Sequence, residues 1–176
     1  RDATSKATDL VSIMWGNNEI GTVQPVAEIA DLCADRGIAF HCDAAQAVGK
    51  VPVDLSELPI TMLTLSAHKY YGPVGTGALF VRDLAKYQSI SPLTFGGGQE
   101  YGLRPGTLNV PAIVGLAAAC RLANDQSEIW AVHTTMLRSR FESRLIQELS
   151  EVSINGDTES RLPHISNIAF PGTDNQ

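Results

Sequence analysis

Three short stretches of this 176-residue chain place reactive side chains directly after apolar runs. In Ser66-Ala67-His68-Lys69 the lysine follows a strand-like run, and Gly72-Pro73, Gly75 and Gly77 come after it. Partial desolvation at a strand end flanked by small residues lowers an ammonium pKa, which a Schiff-base lysine needs in order to attack near neutral pH. A lone lysine there is more often a snorkelling surface side chain, because buried lysines are rare. In His41-Cys42-Asp43, the period of two puts His41 and Asp43 on one face and Cys42 on the other, toward the core. An Asp at the carboxyl end of a strand sits where open α/β sheets bind ligands. By itself it is more often the N-cap of a following helix, and a His-x-Asp metal pair lacks a third ligand nearby. Asn17-Asn18-Glu19-x-Gly21 alone is a turn signal. The joint arrangement raises all three: if the strands are neighbours, Asn18, Asp43 and Ser66-x-His68-Lys69 converge on one edge of a sheet.

The elements that must position these groups are legible as alternating periodicities. Residues 10–14, 38–42, 62–66 and 77–81 read as strands, and 25–36 as a helix with apolar residues recurring at three and four and Gly37 as its C′ residue. Short apolar strands separated by a helix or a long crossover predict an α/β fold: a mixed, mostly parallel sheet covered on both faces by helices. Residues 88–106 hold Gly96-Gly97-Gly98, Gly102, Pro105 and Gly106, and read as a long functional loop. Two helices follow, over 110–124 and 128–149, the second with Trp130, Met136, Leu137, Phe141, Leu145 and Leu149 near one apolar stripe. Residues 152–154 and 165–170 read as strands of a smaller α+β unit. The polar Asn124-Asp125-Gln126 places a boundary between 1–125 and 126–176.

Composition narrows the class of function. Apolar residues make up 44% and charged residues 18%, enough for a packed core. With 13 Lys+Arg against 19 Asp+Glu, the net charge of −6 argues against a nucleic-acid or anionic-membrane surface, either of which needs clustered positive charge. No apolar run approaches the roughly 20 residues of a bilayer span, and no secretory signal is visible. Three widely spaced cysteines, Cys33, Cys42 and Cys120, read as small buried hydrophobes rather than a disulfide framework, with the cytoplasm as the expected compartment. The absence of an initial Met, and an end just past a strand-like run, suggest an internal piece of something longer.

Five blocks then carry a resemblance: Asn17-Asn18-Glu19-Ile20-Gly21, His41-Cys42-Asp43-Ala44-Ala45-Gln46, Ser66-Ala67-His68-Lys69-Tyr70-Tyr71-Gly72-Pro73, Gly96-Gly97-Gly98-Gln99-Glu100 and Arg104-Pro105-Gly106-Thr107-Leu108-Asn109. Together they resemble the pyridoxal-phosphate-dependent cysteine desulfurases of the NifS/IscS-like branch, in the class V aminotransferase group of fold type I enzymes. The resemblance implies that Lys69 is the Schiff-base lysine and that Asp43 partners the pyridine nitrogen, keeping it protonated. It implies that Gln46 donates to the phenolic oxygen and that Ser66 and His68 bind the phosphate. Thr107 resembles a residue that reaches the phosphate of the neighbouring subunit of a homodimer. Asn18 resembles the residue that meets the cofactor oxygen and the substrate carboxylate.

The implied reaction converts L-cysteine to L-alanine and leaves a persulfide, whose sulfur passes to a scaffold or carrier protein. Four parts of the family pattern find no match here: a Gly-Thr phosphate turn, a ring-stacking histidine, a mobile catalytic cysteine and a carboxylate-binding arginine. The chain by itself is therefore expected to be inactive. Other class V enzymes, an aminotransferase or a kynureninase-like lyase, share Lys69 and Asp43 and stay open as alternatives, as does a non-catalytic module.

Overall fold

The computed structural model describes residues 3–87, 90–149 and 151–173. Four strands form one sheet in the order β1-β2-β3-β4: β1 (Leu10–Met14), β2 (Ala39–Asp43), β3 (Met62–Ser66) and β4 (Gly77–Val81). The pairs β1–β2 and β2–β3 are parallel and β3–β4 is antiparallel. The expected mixed, mostly parallel α/β sheet is thus present. Register aligns Ile13, Cys42, Leu63 and Phe80 across the strands on one face, and Ser12, His41, Met62 and Val81 on the other.

The first of these faces is the core. Helix α1 (Val26–Asp35) lays Val26, Ala30 and Cys33 onto it, against a cluster that includes Phe40, Cys42, Ala44, Ala47, Ile60 and Leu63. The helix stops where the sequence says it should. Gly37 takes φ +68°, its N–H bonds to Ala34 O at 3.0 Å, and the Ile38 N–H reaches back to Cys33 O at 2.9 Å. That paired closure satisfies two carbonyls of the last turn and needs a residue at ease with positive φ.

Helix α2 differs from expectation. It runs unbroken over Val110–Glu148, 39 residues, about 58 Å at 1.5 Å per residue. Asn109 caps it through Oδ1, which accepts from the Ala112 N–H at 3.3 Å. Asn124-Asp125-Gln126 has modest helix propensity but contains no Gly or Pro, so nothing there breaks the hydrogen-bond ladder. The first half of α2 packs Ala119 and Ala123 against Tyr70, Leu65 and Val48, on the same side of the sheet as α1. On the other sheet face Leu10, Ser12, Met14 and Asp43 are exposed, so the described residues cover one face rather than both.

The expected apolar stripe is not a core stripe either. Met136, Leu137, Phe141 and Leu149 are exposed, and the buried residue of that half is Glu142. After α2, β5 (Ser153–Ile154) and β6 (Ile168–Ala169) form a separate antiparallel pair. The segment between them folds back onto the turn that follows β1.

Candidate active site

The parallel strands β1, β2 and β3 end side by side, and each end carries one of the reactive stretches. Asp43 closes β2 in register with Met14 of β1 and Thr64 of β3. Neighbouring strands lie ~4.8 Å apart, so three ends span about 10 Å. The strands are therefore neighbours, as the expected convergence requires, with Asn18 in the turn beyond the end of β1.

Period-two alternation sorts β2 as predicted: Cys42 is fully buried, His41 half-buried and Asp43 exposed. Asp43 Oδ1 accepts from the Ala45 N–H at 3.0 Å and so caps the turn that follows, while Oδ2 has no hydrogen-bond partner among the described residues. The capping and ligand readings of Asp43 are thus compatible, one oxygen for each. Gln46 lies half-buried in that turn. His41 Nδ1 pairs with Ser12 Oγ at 2.8 Å across β1–β2, a partner that sequence reasoning missed. Ser12 lies on the exposed face of β1, and the register that opposes it to His41 is a tertiary fact.

At the end of β3 the extended backbone of Ser66 turns into one 3-10 turn, Ala67–Tyr70, and Tyr71 closes it at φ 69°. Ala67 and Tyr70 point inward and are buried; His68 and Lys69 point outward and are exposed. Ser66 Oγ and His68 Nδ1 sit 3.0 Å apart, holding the imidazole against the strand end. Of the two readings of Lys69, exposure fits the surface side chain and not the partly desolvated one. Its ammonium makes no hydrogen bond or ion pair among the described residues, because a 3-10 turn that buries its first and fourth residues must expose the middle two.

Asn18 is exposed in the turn after β1, whose backbone closes through Asn17 N–H to Thr22 O at 2.9 Å. The neighbouring Asn17 does the structural work there, its Oδ1 accepting from the N–H groups of Glu19 and Ile20, both at 2.9 Å. Thr107 stays apart, exposed in the loop before α2 with no hydrogen bond to the strand-end residues. Gln99 Oε1, accepting from the Gly106 N–H at 3.1 Å, closes that loop. Of the long loop read over 88–106, Gln88 and Ser89 lie outside the described residues.

The donor set suits pyridoxal phosphate. It offers an unpaired amine for a carbonyl carbon, a carboxylate oxygen for a protonated ring nitrogen, and a hydroxyl and an imidazole for a phosphate, all on one sheet edge. None of the three cysteines has that exposure. Burial, helped by the charge of Asp43, pushes the Cys42 thiol up to about 12, and burial also raises Cys33 against the opposing Arg36 charge. Cys120 is half-buried in α2, 3.5 Å from the Tyr70 hydroxyl.

The chain matches the aminotransferase class-V family over residues 1–176. It belongs to that family. Among similar class-V proteins, a cysteine desulfurase IscS of Anaeromyxobacter dehalogenans is 45% identical over 163 residues, covering 93% of this chain and 40% of the relative. A cysteine desulfurase of Rattus norvegicus is 43% identical over 93% of this chain and 36% of its own length. The crystal structure of DndA from Streptomyces lividans superposes with a TM-score of 0.89 at 42% identity, over 99% of this chain and 49% of that one. The chain thus spans less than half the length of these relatives.

Proposed function

We propose that the protein carrying this chain is a cysteine desulfurase that converts L-cysteine to L-alanine. Its sulfur passes through a cysteine other than Cys33, Cys42 or Cys120 to an acceptor protein, for iron–sulfur cluster assembly or another delivery. The observation that carries the reading is that Asp43 and Ser66 to Lys69 close two adjacent parallel strands, with Asn18 in the turn that follows the third. The cysteine desulfurase relatives support the choice of reaction.

Class V enzymes use pyridoxal phosphate, which supplies an electron sink for cleavage at the substrate's carbons. Lys69 Nζ would hold its carbonyl carbon and, once displaced there by the substrate amine, would be free to take the proton from the substrate α-carbon. Asp43, through Oδ2, holds the proton on the ring nitrogen, and the Gln46 amide donates to the phenolic oxygen. Ser66 Oγ and the exposed imidazole of His68 would bind the phosphate. Asn18 orients the substrate carboxylate.

In a homodimer, Thr107 serves the partner's phosphate, which accords with its exposure away from this chain's own strand ends. We divide the protein at residue 125, inside α2: the four-stranded sheet lies before it and the β5–β6 pair after it. We place it in the cytoplasm, where three separate free thiols stay reduced.

Loading the protein with pyridoxal phosphate, reducing with borohydride and mapping the label by peptide mass spectrometry should mark Lys69. Incubating the loaded protein with L-cysteine should yield alanine. A label on another lysine, or amino-group transfer to a keto acid in place of alanine formation, would overturn the assignment.

A further inference from the structure

The turn that presents Asn18 is held from outside the sheet. Leu162 N–H donates to Gly21 O at 2.8 Å, Val23 N–H to Ser160 O at 2.9 Å, and Asn167 Nδ2 to Glu19 O at 3.1 Å. Thr22 Oγ1 accepts from the Asp157 N–H at 3.1 Å. The side chains close up as well: a Cβ on Gly21, at φ +79°, would stand 3.1 Å from Ile165 Cβ. The whole turn is therefore clamped by one strap, residues 155–167.

That strap has little regular structure of its own, and its anchor is α2. Glu142, 4% exposed, takes Arg161 Nη1 at 2.9 Å, Arg161 Nη2 at 2.5 Å and Ser166 Oγ at 2.8 Å. One turn back, Arg138 Nη1 donates to Leu162 O at 2.6 Å. Leu162 is thus gripped by α2 at its carbonyl and grips the Asn18 turn with its N–H. A buried ion pair is a poor general stabiliser, since desolvation offsets much of the attraction. The Nε atoms of Arg138 and Arg161 are moreover buried with no hydrogen-bond partner among the described residues. What such a cluster provides is direction, because a two-pronged guanidinium–carboxylate contact fixes orientation as well as distance.

We infer that Glu142 and Arg161, with Arg138, are positioning residues for substrate binding, acting through the strap on the turn that carries Asn18. The inference rests on the reading of Asn18 as the group that meets the substrate carboxylate.

Amide hydrogen exchange and steady-state kinetics on the loaded protein test the two layers separately. Glu142→Gln should speed exchange at Gly21, Val23 and Leu162 about tenfold, because each is protected through the strap or its turn. It should raise KM for L-cysteine roughly three- to tenfold with kcat changed less than about twofold, the mark of lost ground-state positioning. Asn18→Ala should raise KM too, and the double variant should be no worse than Asn18→Ala alone. Asn167→Ala, outside the ion cluster, should shift exchange and KM in the same direction and serves if Glu142→Gln does not fold. A lower melting temperature with unchanged exchange at Gly21 and Val23, or KM effects that simply add, would overturn the inference. If Asn18→Ala leaves KM unchanged, the reading of Asn18 and the link to substrate fall, while the exchange data alone decide whether the pair positions the turn.

Discussion

The strand-end edge and the Glu142 cluster are both polar constellations, and they are built in opposite ways. At the edge, Lys69 and His68 are exposed, and Asp43 keeps one oxygen uncommitted. In the cluster, Glu142 is buried and both its oxygens are taken, one by Arg161 and Ser166, the other by Arg161. On the proposed function, groups that meet a ligand are left with spare valence, and groups that hold the frame have theirs consumed. The edge sits on the ends of rigid strands, while the strap needs the cluster because two-residue strands cannot fix it.

If that contrast is right, substitutions at the edge should remove chemistry while leaving the fold, and substitutions in the cluster should do the reverse first. The largest effect falls on Lys69. Lys69→Ala should lower turnover by on the order of 10⁴-fold or more while the melting temperature hardly moves, since an exposed side chain without partners among the described residues contributes little to stability. Thermal melts beside single-turnover alanine assays would show it. A large loss of stability would mean that the edge is structural after all.

Asp43→Asn should cost about 10²- to 10³-fold in turnover, because an amide keeps the hydrogen bond from Ala45 but cannot hold a proton on a ring nitrogen. Cofactor retention, followed by absorbance, should persist. Near-normal turnover would put a different acid under the ring.

The cluster predicts a pH effect on stability. Burial alone would raise the Glu142 carboxyl, but hydrogen bonds from Arg161 and Ser166, with the charges of Arg161 and Arg138, outweigh it and hold it below the usual carboxylate range. The folded state thus binds the proton more weakly than the unfolded chain. This stabilisation is complete above the unfolded carboxyl's pKa of roughly 4.3 and is lost as pH falls through the lower folded value. Denaturant midpoints from neutral pH down to acid should fall for the unaltered protein and fall less steeply for Glu142→Gln. Parallel curves would show that the carboxylate is not the group the cluster depends on.

The two regions also differ in how far the sequence reveals them. Strands 10–14, 62–66 and 77–81 and helix 25–36 are legible because short apolar runs and apolar spacing at three and four are local signals, and Gly37 marks a real stop. Asp43 and Ser66 to Lys69 are legible because strand ends punctuate the chain. The sequence leaves Lys69 between a surface and a partly desolvated reading, because the outcome depends on which side of one 3-10 turn faces the core. Glu142 is hidden more deeply. Arg138 and Glu142, four apart on a helix, look like a solvated surface pair, and Leu137 and Phe141 beside them look like the buried stripe. Only the partners brought from 161 and 166 turn Glu142 inward, and sequence separation conceals them.

The smallest effect sharpens the contrast from the edge's own strand. Cys42 lies one residue before Asp43, yet its side chain is fully buried on the opposite face, packed in the cluster with Phe40 and Leu63. With its thiol pushed up to about 12 by burial and the Asp43 charge, it is neutral at physiological pH and is no nucleophile. Cys42→Ala removes one buried sulfur and should cost about 1 kcal/mol, the scale of a small core truncation. Alanine formation per folded molecule should stay within about twofold, because the strand end and its register do not depend on that atom. The same should hold for Cys33→Ala, on the face of α1 that packs against this core. Persulfide trapping with an alkylating probe, followed by peptide mapping, checks the claim directly. Sulfur found on Cys42 or Cys33 would require the thiol to reach the opposite face of the sheet from where it lies, and would break the division between a face that packs and an edge that reacts.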